Sequence, residues 1–260
     1  MKRSLVGLMS FLGFSMNLMA QDPPKEASDD DAKKAVEEFK KALRKPKLEE
    51  GDIVTALIDL GQKQHTKLIL PEIKPWLTKG GTEIRLTAAE MLSKYKKNKL
   101  AAEAILNALS GQDQKEKDIL EKFISFSADT ECKEIAPKLC GLFGSKYVEV
   151  ARAAVEGCGK IKSKNCVESL IKLVSDLEDV NESNVSGAGQ PNMPGPGTSG
   201  QGQEDERVKK KRELLQPALG ALRETTGERF TRGKPNKDNP PDKTWGGWWA
   251  KNKATFKDPT

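Results

Sequence analysis

The chain repeats itself about every 32 residues, and this period constrains its fold more than any other feature. The segments "LPEIKPWLTKGG", "AEAILNALSGQD", "APKLCGLFGSKY" and "VESLIKLVSDLE" are each amphipathic at helical spacing. Each carries a leucine just before small or polar turn residues. The matching leucines, Leu77, Leu109, Leu142 and Leu173, lie 32, 33 and 31 residues apart. A further helical stretch precedes each: "DIVTALIDLGQ", "EIRLTAAEMLSKY", "KDILEKFISFS" and "EVARAAVEGCGKI". Two helices per unit at a steady period predict an α-solenoid. One hairpin of this size cannot bury its own apolar stripe, so neighbouring hairpins must stack into a continuous core.

Composition agrees with an all-α chain. Aromatic residues are only 5% and charged residues 32%, and the dominant Ala, Leu, Lys and Glu are strong helix formers. The β-branched and aromatic runs that strands prefer are scarce. "AKKAVEEFKKALRK", Ala32 to Lys45, reads as an N-terminal half-unit or cap.

The unit "SKYVEVARAAVEGCGKIKSKNCVESLIKLVSD" resembles a HEAT repeat of the short bacterial kind. Arg152, Ala153, Ala154, Gly159, Ile161, Val167, Leu170 and Leu173 carry the likeness. The resemblance implies a right-handed α-solenoid of about four to five helical hairpins. Cys158 stands where that family usually has a leucine, which favours a packing role for its thiol. Such repeats specify architecture, not activity.

The ends and the linker divide the chain further. Residues 1–20, with Lys2 and Arg3 ahead of the uncharged run Leu5 to Leu18, read as a secretory signal peptide. The run is shorter than the roughly 20 apolar residues a membrane anchor needs. The expectation is therefore an exported protein, periplasmic or extracellular, with no membrane span after cleavage. Residues 21–31 read as a disordered acidic N-terminus and 32–180 as the HEAT-like domain. Residues 181–203, with six glycines and three prolines, read as a flexible linker. Residues 204–260 form a C-terminal helix and a Trp-rich capping segment. Net charge is −4 over 21–206 and +8 over 207–260.

In the tail, "EDERVKKKRELLQPALGALRETTG" predicts a helix that Pro217 should kink or split and Gly227 should stop. Its basic run, Lys209, Lys210, Lys211 and Arg212, is a candidate contact for an anionic surface; export argues against nucleic acid. Trp245, Trp248 and Trp249 are spaced three and four apart, on one helical face. That suits a cap over the last repeat; the other reading is an exposed platform for sugar or a protein partner. "LRETTGERF" followed by "TWGGWWAKNKATF" resembles the closing segment of exported bacterial HEAT-repeat proteins. Here Gly246 and Gly247 depart from that pattern. Each costs about 0.8–1 kcal/mol against alanine, which argues against a well-formed last helix.

Cys132, Cys140, Cys158 and Cys166 could pair in three complete ways in an oxidising compartment. The alternative is simply buried thiols. Zinc ligands usually come two to four residues apart, and the eight-residue spacings here do not fit, so no metal is expected. No catalytic constellation assembles: the one histidine, His65, reads as a surface or turn residue, and no phosphate-cradling loop is present. No cofactor is implied. The functional expectation is a non-catalytic exported scaffold for protein–protein interaction. The alternative is a module that binds carbohydrate or an anionic surface through its basic, Trp-rich tail.

Overall fold

The computed structural model describes residues 26–111, 116–180 and 206–259. The signal peptide and the linker expected over 181–203 lie outside the described residues. Within them the chain is all-α: eleven α-helices joined by turns and short 3-10 segments, with no strand. None of these helices is long and apolar enough to cross a membrane.

Helix α1 (Asp29–Ala42) starts three residues before the expected Ala32, inside the stretch read as disordered. The reason is local. Ser28 accepts a hydrogen bond from the Asp31 backbone, and Asp29, Asp30 and Asp31 oppose the positive end of the helix dipole. Glu26 then ties the entering chain to the Thr66 amide and hydroxyl.

One row is formed by α2 (Glu50–Gly61), α4 (Thr82–Ser93), α6 (Lys117–Asp129) and α8 (Val148–Ile161). Each packs against the next, and α10 (Glu206–Thr226) continues the row against α8. The helices between them are shorter, α3 (Leu70–Ile73), α5 (Lys99–Asn107) and α7 (Ala136–Gly141), and α8 is followed by the longer α9 (Lys164–Glu178). After α3, α5 and α7 the chain tightens into a 3-10 turn, and those turns hold Leu77, Leu109 and Leu142. The spacing thus located the repeated leucines, but three of them close a helix and do not lie within it.

Polar contacts between helices distant in the chain include five of one sequence separation. Arg85 pairs with Glu116 at 3.0 Å, Arg152 with Glu121 at 3.4 Å and Lys160 with Asp129 at 2.7 Å. Lys138 donates to Asn107 Oδ1 at 3.1 Å, and Lys211 to the Val180 carbonyl at 3.1 Å. All five join residues 31 positions apart. Arg152, one of the resemblance positions, also reaches Glu156 on its own helix and Glu213 on α10.

Apolar burial falls into two main clusters. One is built on α1 to α5 around Leu57, Ile73, Leu92 and Ile105, and Phe123 of α6 completes it. The other runs from α5 to the last helix, α11 (Trp245–Asn252), through Ile124, Leu139, Val155, Leu170 and Leu222. Helix α10 passes through Pro217 without interruption. Leu214 and Ala218 on either side of the proline are fully buried, and packing on α8 and α9 holds the helix where the lost backbone donor alone would break it. Gly227 stops α10 in the left-handed region, φ 78°, its amide donating to Arg223.

Candidate functional site

The tryptophan helix forms despite its two glycines, which correct the expectation drawn from propensity. Thr244 caps α11 by accepting from the Gly247 amide at 3.3 Å. Backbone bonds from Trp245 to Arg232 and from Gly246 to Gly233 dock it on the preceding loop. A Cβ on Gly247 would stand 1.8 Å from the Pro241 carbonyl oxygen, so only glycine permits this approach. Tertiary contact outweighs helix propensity here.

Trp245 is 0% exposed and Trp249 9%, and Trp248 is half-buried. Phe230 meets Trp245 edge-on at 5.2 Å, and Phe256 meets Trp248 and Trp249, each at 5.7 Å. The indole N–H groups of Trp245 and Trp249 find no acceptor among the described residues. Sealed rings of this kind suit packing over α9, and two of the three are out of reach of a ligand in solution.

The basic run on α10 faces the acidic side of α8. Lys209 lies 3.9 Å from Glu149, Arg212 pairs with the neighbouring Glu213, and Lys211 is held by Val180. Lys210 lies on the same stretch, beside Lys117 and Lys146.

His65, read as a surface or turn residue, lies in the turn between α2 and α3 but is buried there. Its Nδ1 accepts from the Leu68 amide at 3.2 Å, leaving Nε2 to donate to Asp29 at 3.0 Å. Its own amide donates to the Tyr95 hydroxyl. The His65 bond holds the Asp29 carboxyl below the usual carboxylate range. With both ring nitrogens committed, neither is available to activate a nucleophile.

An apolar hollow of about 430 Å³ opens between adjacent units, lined by Leu106, Leu109, Leu142, Tyr147 and Val150. Lys138 and Lys146 border it. The ammonium groups of Lys146 and Lys117 sit 4.9 and 5.0 Å from the centre of the Tyr147 ring.

The sequence reading did not foresee one further assembly. Cys140 on α7, Cys158 in the last turn of α8 and Cys166 in the first turn of α9 bring their Sγ atoms within 4.8 Å of one another. Cys140 and Cys158 are 3.9 Å apart. Cys158 and Cys166 are fully buried and Cys140 half-buried. Hydrogen bonds from Cys158 and Cys166, and then from Ser169, draw the Cys140 thiol well below its ordinary range. Cys158 and Cys166 are pushed up, first because each shares its proton with Cys140 and then by burial. Cys132 is outside the trio: it donates to Glu134 at 3.1 Å, and burial pushes its thiol up to about 11. All four are free thiols, and this arrangement does not offer the two-disulfide pattern. Spacing missed the trio because each helix contributes one sulfur, and no short motif is needed.

Comparison with family models, with curated proteins and with solved structures returns no match.

Proposed function

We propose that this chain is an exported, non-catalytic scaffold. In this reading it is a HEAT-like, right-handed α-solenoid of about four to five hairpins that offers its surface to another protein. The row of first helices and the 31-residue step of the inter-unit contacts support the architecture. The observation that carries the function is the hollow between units. Its apolar floor suits a partner's hydrophobic anchor, and the lysines beside it favour acidic residues flanking that anchor. The burial of Trp245 and Trp249 weighs against a sugar platform on the tail.

A photoreactive side chain in place of Tyr147 or Leu142, in cells that export the chain, tests this reading. Both positions should crosslink to one and the same protein, and a probe at exposed Lys33 should not. Identical adducts from all three positions would refute a partner seated in the hollow. Hydrolytic activity abolished by His65→Ala would overturn the non-catalytic assignment.

A further inference from the structure

We propose that Cys140, Cys158 and Cys166 form a site for one soft, thiophilic cation of the Zn2+ or Cu+ class. Thiolate sulfur selects such ions over hard, oxygen-seeking ones. With a metal–sulfur bond of about 2.3 Å, sulfurs sharing one ion stand roughly 3.8 Å apart in a tetrahedral site and about 4.0 Å in a trigonal one. Cys140 and Cys158 are already 3.9 Å apart, and no pair in the trio exceeds 4.8 Å. Small side-chain rotations therefore close the site, and the helices need not move.

The chemistry balances without any redox change. As each sulfur bonds the ion, any thiol proton it still carries leaves for solvent, so the ion is held by thiolates and no electron is transferred. Three thiolates satisfy Cu+ in a plane. Zn2+ needs a fourth ligand, and half-buried Cys140, with the Ser169 hydroxyl beside it, is the side on which water or that hydroxyl can enter. A disulfide accounts for the trio less well. It consumes two sulfurs and leaves the third thiol over, since Cys132 is bonded to Glu134 outside the cluster. A bound cation would staple the six-residue α7 of one unit to α8 and α9 of the next.

The test is a titration of the full exported chain, reduced and free of oxygen, with Cd2+ followed through its sulfur-to-metal charge-transfer band. Binding should saturate at one ion per chain and raise the melting temperature. Cys140→Ser should weaken it at least about tenfold, in line with the loss of a ligand, while Cys132→Ser leaves it unchanged. Cys140→Ser is the decisive variant because its position is half-buried, and circular dichroism checks that it folds. Loss of the band on adding excess Zn2+ or Cu+ shows that the same sulfurs take that ion. The proposal fails if the folded, reduced chain shows no saturable band. It fails equally if folded Cys140→Ser binds like the parent, or if Cys132→Ser loses binding to the same extent. None of these results bears on the scaffold reading, which does not use the thiols.

Discussion

At the N-terminal end of the helical row, α1 lies against α2, and Phe39 meets Trp76 edge-on at 6.4 Å. At the other end α10 covers α8 and α9, and a separate helix seals five aromatic rings together. Both devices remove an apolar face from water. The first is one amphipathic helix next in sequence, trimmed by ion pairs such as Lys40 with Glu72 at 2.8 Å. The second recruits chain from residue 206 onward: Lys253 pairs with Glu168, and Lys133 bonds the Pro259 carbonyl. An end closed by adjacent chain can rely on local helix propensity. An end closed by distant chain must offset a larger ordering entropy, and large aromatic rings bury the most surface per ordered residue.

That contrast can be broken most directly at Trp245. Trp245→Ala should cost about 4–5 kcal/mol in urea unfolding, against about 3 kcal/mol for Phe39→Ala. A smaller loss at Trp245 than at Phe39 would mean that the aromatic seal is not the stronger closure. Gly247→Ala sharpens the same point through its sign. Helix propensity alone favours alanine by about 1 kcal/mol. The blocked approach to Pro241 should instead make it destabilising by about 1–3 kcal/mol, measured by thermal melting. A more stable variant would show that α11 does not sit against that carbonyl.

Acid should separate the two ends. Glu26, Asp29 and Asp52 are held below the ordinary carboxylate range by bonds from Thr66, from His65 and from Lys45 respectively. A depressed carboxyl contributes stability that is fully present above its unfolded pKa and is lost as pH falls through its folded one. Amides of α1 and α2 should therefore lose hydrogen-exchange protection before those of α9 and α10 as pH drops below about 4. Asp29→Asn should reduce that difference; uniform loss along the chain would contradict it. The smallest effect is expected on the basic run. Lys209→Ala should change stability by less than about 0.5 kcal/mol, because its 3.9 Å pairing with Glu149 is half-exposed.

Much of the architecture was legible because it is written locally. Helix type and the stop at Gly227 depend on propensity and on neighbours a few residues away. The same local logic failed wherever distant chain intervened. Pro217 was expected to break a helix that packing keeps whole, and Gly246 and Gly247 to weaken one that needs them. His65 lies in a turn, one of its two expected places, but Asp29, 36 positions earlier, bonds its ring and helps bury it.

The sites depend most on such contacts. Alternation of apolar and polar residues told which faces turn inward, since burial of a helix face is a property of its own spacing. It could not tell that Cys140, Cys158 and Cys166 share one point while Cys132 does not. Nor could it tell that Trp245 is sealed and Trp248 half-buried. Those outcomes follow from how the helices rotate and dock, which is set by the sum of contacts between helices and by the chain returning from residue 206 onward.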